Sequence, residues 1–525
     1  MTRKYVQIGI LAVALIFGSD GCAFTGLEKP SLVADRTITP ELVRQHIFYL
    51  ASDSLMGRNT PSPGLDSAAH YIAGVFQSSG LKPVNGSYYE RIALGKVGLG
   101  EENHLKITRE NVERAYSIKT EFTPFEMTAN KEVNAPVVFA GYGITAPEHK
   151  YDDYDGIDAK GKVVFVLRHE PGENDSTSVF DGKQATSYSN VADKVRIAVE
   201  HGVVGVLVAT DPLNHTSLTP RGFPWPSLTR TIPRDALPLT LLGDEKEKVP
   251  VLHVGPEVIA QLFGSVDALK ALQIEIDSTM KPHSFKIPAT SASMRTTTTI
   301  TDLPTQNVVG YLEGSDPNLK NELLVIGAHY DHVGYQKERQ PEKDYIYNGA
   351  DDNASGTTAV IAIAQAFGKL SQKPKRSVLF MTFGGEEKGL LGSRTYVDKP
   401  LFPLVQTVAM LNLDMVSRNS VDTLIMVGAS RSPDLAQINR EENKEIGFVL
   451  VSDDKVIGGS DHMTFYRKDI PFLFYFSGFH PDYHQVSDNP DASNAVKLSK
   501  VARLAFRTAW RIANDDHRYR VIKNP

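Results

Sequence analysis

The sequence predicts an α/β protein: an α/β sandwich in the C-terminal half, with a compact β-rich module before it. Three observations carry this. From residue 305 onward, uninterrupted apolar runs alternate with amphipathic stretches at helical spacing, which indicates a sheet buried on both faces. Between 131 and 290, short apolar runs are separated by loops. The chain has 525 residues and 41% hydrophobic content, more than one core accommodates.

The N-terminus comes first. Arg3 and Lys4 precede an apolar run over 8–17, too short for a membrane span of ~20 residues but matched to the core of a secretory signal. Gly21 and Cys22 follow, and Cys22 is the only cysteine, so it has no intramolecular partner. The segment 1–22 resembles a bacterial lipoprotein signal, in which the cysteine becomes the lipidated first residue. That resemblance implies an exported, membrane-anchored protein at the periplasmic or cell surface. Ser19 stands where such signals usually carry Leu, and ordinary cleavage to a soluble product is the alternative.

Residues 36–128 read as an opening helical segment. Apolar residues recur at helical spacing over 40–50 and 68–79, with a turn-rich loop at 57–64. In 131–290, strands are expected at 136–140, 162–167 and 203–208 and a helix at 190–201, closed by a Thr-rich linker at 296–301. Beyond it, strands are expected at 307–312, 323–328, 377–383, 408–413, 423–427 and 471–476, and helices at 356–370, 433–446 and 495–513. Net charge is −6 with no Lys/Arg block, which excludes the phosphate-neutralising footprint of a nucleic-acid binder.

Five motifs in the last region carry chemistry, nearly all where an apolar strand ends, the place where open α/β sheets bind ligands. In Gly327-Ala-His-Tyr-Asp-His-Val-Gly334, His329 can bind metal while Asp331 accepts its other ring proton. Gly349-Ala-Asp-Asp-Asn-Ala-Ser-Gly356 sets two adjacent carboxylates before a helix. Capping explains one such residue but not the whole motif. Gly384-Gly-Glu-Glu-Lys-Gly-Leu-Leu-Gly-Ser393 offers one glutamate to a metal and its neighbour to a proton. Asp414, in Asn412-Leu-Asp-Met-Val416, ends an apolar strand and needs a partner. Asp482-Tyr-His-Gln-Val-Ser-Asp488 supplies His484 beside Tyr483. Two imidazoles and three carboxylates without a thiol suit zinc, and manganese and cobalt take the same donors. Charge balance favours two ions: three carboxylates leave about one positive charge, which a bridging hydroxide neutralises.

These motifs, with Ser460-Asp-His, resemble those of the di-zinc aminopeptidase family, which includes bacterial leucine aminopeptidases, plasma glutamate carboxypeptidase and glutamate carboxypeptidase II. The segment 42–83, with Gly57-Arg58, is similar to the N-terminal part of those catalytic domains. The resemblance implies a mixed-sheet α/β/α sandwich of the zinc-peptidase type and an aminopeptidase that acts on peptide substrates. A carboxypeptidase or dipeptidase of the same family and an inactive binding protein are the alternatives. It implies that Asp352 bridges two Zn2+ ions, that His329 and Asp414 complete one site, and that Glu387 and His484 complete the other. It makes Glu386 the general base, Asp331 the group that orients His329, and Tyr483 a donor to the oxyanion. Asp351, His462 and His480 are the competitors for ligand roles. It also implies a cis peptide bond between Asp352 and Asn353. The stretch 131–290 resembles a protease-associated domain through Ala140-Gly-Tyr-Gly143, Tyr151-Asp-Asp-Tyr154, Gly161-Lys-Val-Val-Phe-Val166 and Gly202-Val-Val-Gly-Val-Leu-Val208. The implied organisation is a signal at 1–22, the start of the peptidase at 36–130, the insert at 131–290, and the rest of the peptidase at 291–520.

Overall fold

The computed structural model describes residues 28–523 except 181, 183–185, 221–238, 244–247, 337–341 and 454–457. The expected signal at 1–22, with Cys22, lies outside the described residues.

Among the described residues, an eight-stranded mixed sheet organises the first body. Its order is Tyr89–Ile92, Thr305–Leu312, Ser377–Phe383, Leu323–His329, Thr407–Leu413, Phe472–Phe476, Thr423–Val427 and Val449–Ser452. The four central strands, from Ser377–Phe383 to Phe472–Phe476, run parallel. Side chains alternate between two cores, as the pleat requires. Leu324, Ile326 and Ala328 join the core under helices Gly356–Gly368 and Ala495–Asn514, whereas Leu323 and Val325 join the core that holds Tyr396 and Phe465. This is the doubly covered sheet that the apolar runs predict.

The flanking helices begin where the sequence supplies caps. Thr39 accepts the Leu42 N–H ahead of helix Pro40–Leu50, and Ser62 accepts the Leu65 N–H ahead of helix Pro63–Ser78. The second helix therefore starts inside the stretch expected as loop, because Ser62 caps it and Pro63 fits its first turn. Gly57 lies in the left-handed region at φ +67°, and a Cβ there would sit 2.1 Å from the Gly334 carbonyl oxygen. No side chain fits that approach.

Among the described residues, the second body is built on another eight-stranded sheet, ordered Val112–Tyr116, His104–Arg109, Ser284–Thr296, Lys131–Ala140, Val163–Leu167, Gly205–Ala209, Val251–Val254 and Phe122–Pro124. Three expectations are corrected here. Residues 104–124, read as helical and assigned with 36–130 to the peptidase, are strands of this sheet. The period-2 pattern explains it, since Leu105 and Ile107 point into its core. Among the described residues the body also has three α-helices, Val191–Glu200, Pro256–Phe263 and Val266–Thr279, where one was expected. The Thr-rich linker is itself a strand, Thr298–Asp302, paired antiparallel with Leu94–Leu99. β-Branched threonines suit a pleated ribbon better than a coil.

Candidate metal centre

The carboxyl ends of the four central parallel strands deliver the predicted residues to one place. His329 is the last residue of its strand, Asp414 follows Leu413, Glu386 and Glu387 follow Phe383 by three and four residues, and His484 lies in the loop after Phe476. Asp352 arrives from the loop before helix Gly356–Gly368. That helix packs so closely that a Cβ on Gly356 would sit 2.1 Å from the Leu413 carbonyl oxygen. The Asp352–Asn353 peptide bond is cis.

Asp352 divides its two oxygens between two ligand sets. Its Oδ1 lies 3.3 Å from His329 Nε2, which is itself 3.4 Å from Asp414 Oδ2. Its Oδ2 lies 2.8 Å from His484 Nε2, and Glu387 Oε1 is 3.1 Å from the same nitrogen. Asp414 Oδ1 is buried without a hydrogen-bond partner. Three carboxylates buried this close repel strongly unless cations sit among them. The donor types, their burial and the shared Asp352 fit two divalent ions.

One residue of this centre had no assigned role in the sequence. His332 Nδ1 lies 2.9 Å from Glu387 Oε1 and 3.6 Å from Asp352 Oδ2, so His332 joins the second set. Its signal was present in the motif that carries His329, three positions on.

The competitors lie elsewhere. Asp351 turns away, its Oδ1 accepting from the Ser417 N–H and hydroxyl, both at 2.7 Å. His480 Nε2 is 3.3 Å from Asp351 Oδ2, outside both sets. His462 is stacked between Phe472 and Phe474.

A second layer fixes the ligand loops. Asp331 Oδ1 accepts the Glu386 N–H at 3.0 Å and its Oδ2 accepts the Thr60 hydroxyl at 2.9 Å. His329 Nδ1 lies 3.2 Å from the Asp331 carbonyl oxygen and 3.6 Å from Asp331 Oδ1, so residue 331 faces that nitrogen through backbone and side chain. Asp488 accepts the N–H groups of Asp351 and Asp352. Arg58, buried, donates to the carbonyls of Leu50, Tyr330, Asn348 and Gly349. Asn307 accepts the Gly384 N–H and donates to Gly392 O, tying down both ends of the glutamate loop.

The electrostatics separate the two glutamates. Burial raises the Glu386 carboxyl well above its ordinary range; His329 pulls it back, while the charges of Glu387, Asp461 and Asp414 push it further up. Burial would raise Glu387 too, but His484 overrides this and holds it at about 2. His484 is in turn lifted to about 11, against burial, by Glu387 and Asp352. A cation competes with that proton for the same nitrogen.

Glu386 lies 4.0 Å from His329 Nε2, and both line a cavity of about 140 Å³ with Asp352, Glu387, Asp414 and Tyr483. Its other wall is apolar: Met415, Phe474, Phe476 and Phe479. Tyr483 stacks on His484 with ring centroids 4.0 Å apart.

The model of peptidase family M28 matches residues 307–509. Among curated proteins, the chain is 31% identical over 163 residues to a probable glutamate carboxypeptidase of Arthroderma benhamiae, covering 30% of this chain and 20% of that one. It is 26% identical over 234 residues to aminopeptidase YwaD of Bacillus subtilis, covering 42% and 48%. The matched stretches thus span a fifth to a half of these relatives. Among solved structures, the aminopeptidase from Aneurinibacillus sp. strain AM-1 superposes with a TM-score of 0.51 at 22% identity, over 95% of this chain and 98% of that one, a likeness of fold.

Proposed function

We propose, from the premise that residues 307–509 form a peptidase family M28 domain, that this chain is an exported zinc-dependent exopeptidase that removes N-terminal residues from peptides. The observation that carries the reading is the division of Asp352 between two histidine–carboxylate sets, with a free-standing Glu386 beside them. His329, Asp414 and Asp352 would hold one Zn2+, and Glu387, His484 and Asp352 the other, with His332 at hydrogen-bond distance from Glu387. Bound there, the ions polarise the scissile carbonyl and acidify water.

The chain's own residues do the rest. Glu386 takes a proton from the attacking water and passes it to the leaving amine, a task suited to a carboxyl with a raised pKa. Asp331 holds the Glu386 backbone and faces His329 Nδ1, so one carboxylate positions both base and ligand. Tyr483 donates to the carbonyl oxygen as it gains charge, keeping its own proton because burial and the charges of Asp352 and Glu387 raise its pKa. Met415, Phe474, Phe476 and Phe479 favour an apolar terminal side chain. The named relatives include an aminopeptidase and a probable glutamate carboxypeptidase. An apolar wall favours the former, since among the described residues that line the cavity no Lys or Arg offers a site for a glutamate carboxylate.

The body that contains residues 131–290 is proposed to be a protease-associated domain. Lipid anchoring at Cys22 is proposed from the sequence pattern; among the described residues, no helix is long and apolar enough to cross a membrane.

The test is Glu386→Gln on a panel of aminoacyl and N-blocked peptides. Turnover of free-amine substrates should fall at least ~100-fold with metal content retained. Near-native turnover would remove Glu386 from the role, and hydrolysis confined to N-blocked peptides would refute aminopeptidase action.

A further inference from the structure

We infer that the second body holds its own metal site, for one Zn2+ ion, formed by His169, Glu173, Asp211 and His215. The inference is independent of the proposed peptidase reading, because none of these residues touches the first centre's ligand sets.

The site follows from strand register. Strands Val163–Leu167 and Gly205–Ala209 run parallel, with Leu167 opposite Ala209. His169 and Asp211 each lie two residues beyond these ends, so they leave the sheet side by side. Each is followed four residues later by a second donor, Glu173 and His215. One donor atom from each of the four lies within 4.8 Å of all the others.

The spacing fits a four-coordinate ion. His215 Nε2 is 3.0 Å from Glu173 Oε2 and 3.7 Å from Asp211 Oδ1, and His169 Nδ1 is 3.7 Å from Glu173 Oε2 and hydrogen-bonded to Asp211 Oδ1. Tetrahedral zinc, with bonds of about 2.0–2.2 Å, sets its ligand atoms roughly 3.4 Å apart. Three of these contacts close to that spacing with shifts of a few tenths of an ångström, and the His169–Asp211 hydrogen bond opens further as the ion takes the place of its proton.

Charge points the same way. The two imidazoles stack with centroids 4.2 Å apart and planes at 24°. Protonating both to balance the two carboxylates would place two cations face to face. A divalent ion balances the carboxylates with both rings neutral. Two imidazole nitrogens select zinc over the oxygen-seeking calcium and magnesium.

The carboxylate at the centre is also held from behind. The Asp211 side chain is fully buried, and its Oδ2 accepts from Gln273 Nε2 at 3.2 Å. Gln273, itself fully buried, uses its Oε1 to accept the Leu213 N–H at 2.8 Å. Such outer contacts orient a ligand for its ion. His169, Glu173 and His215 keep 22%, 26% and 32% side-chain exposure, so an ion can enter from solvent. Four protein ligands leave no open position, which marks the site as structural: it ties together the two loops that leave the carboxyl ends of these neighbouring strands.

The experiment measures zinc per chain in the full-length protein after zinc loading and removal of loose metal. H169A/H215A should carry one ion fewer than the parent. The same loss of one ion should appear when the pair is added to Asp352→Ala, whatever metal that variant retains, so failure of the peptidase centre does not mimic failure here. X-ray anomalous scattering at the zinc edge should place a peak between His169 and Asp211. That measurement uses the parent protein and decides the matter should the variant not fold. Equal zinc in parent and folded H169A/H215A, or no anomalous peak at these residues in zinc-loaded crystals, would overturn the inference.

Discussion

Replacing Arg58 with Met tests whether one buried cation braces the ligand loops. Arg58 is 1% exposed, and its guanidinium donates to four carbonyl oxygens: Tyr330 at 2.8 Å, Asn348 at 2.8 Å, Gly349 at 3.0 Å and Leu50. Tyr330 adjoins His329, while Asn348 and Gly349 precede Asp352, so one side chain spans both ligand-bearing loops. Methionine fills much of the volume and offers no donor. The Gly349 carbonyl keeps the Ala354 N–H, so three carbonyls are orphaned, and at roughly 2 kcal/mol each the gross loss is about 6 kcal/mol. Part is recovered, because burial pushes the guanidinium pKa down from 12.5 to about 10 despite nearby Asp331 and Asp352. At about 1.4 kcal/mol per pH unit, removing that charge returns roughly 3 kcal/mol. The net expectation for Arg58→Met is a loss of about 3 kcal/mol, with turnover down tenfold or more as the ligand loops loosen. Arg58→Lys keeps the charge but has only three donors, so it should lose about half as much. Urea unfolding followed by Trp510, which packs on the first body's core, reads the stability in a Trp225→Phe background. Native-like unfolding and full turnover in Arg58→Met would refute the bracing role.

Two further outcomes concern Glu90 and Cys22. Burial raises the Glu90 carboxyl to about 7, against the hydrogen bond from Asn307. The folded protein thus holds a proton that the unfolded chain releases, so stability falls as pH rises from about 4.5 to 7. Glu90→Gln should be more stable than the parent by up to about 3 kcal/mol above pH 7, with the gap closing below pH 4.5; a pH-independent difference in urea midpoints would contradict this. For anchoring, Cys22→Ser should move the protein from the membrane to the soluble fraction, and unchanged fractionation would count against lipidation.

The first body was readable because its strands are buried on both faces. Continuous apolar runs such as 323–328 leave little ambiguity about strand or helix, and the polar residues that end two of them, His329 and Asp414, stand out as functional. The loop carrying Asp351 and Asp352 was readable as a pair, but only the fold shows that Ser417 draws Asp351 away. His332 went unassigned because a histidine three residues past a strand end has no fixed direction in sequence. The cluster of His169, Glu173, Asp211 and His215 was invisible for a different reason: its two halves are 42 residues apart and meet only through parallel register. Strands 104–116 were misread because exposed residues interrupt their short alternation, as in Val112–Tyr116, where only Tyr116 is buried.

The chain leaves the first body through Leu94–Leu99 and re-enters through Thr298–Asp302, and these strands are hydrogen-bonded neighbours, with Leu99 opposite Thr298. The roughly 200 intervening residues are therefore, to the first body's sheet, a hairpin whose ends already touch. Loop-closure entropy grows only with the logarithm of length, and a preformed domain with adjoining ends costs less still. The pairing of Glu90 with Asn307 is distant in sequence yet near in effective chain length once the second body has formed. Connectivity thereby lowers the entropic cost of that pairing, because a folded insert with adjoining ends holds the edge strand close to the sheet it joins.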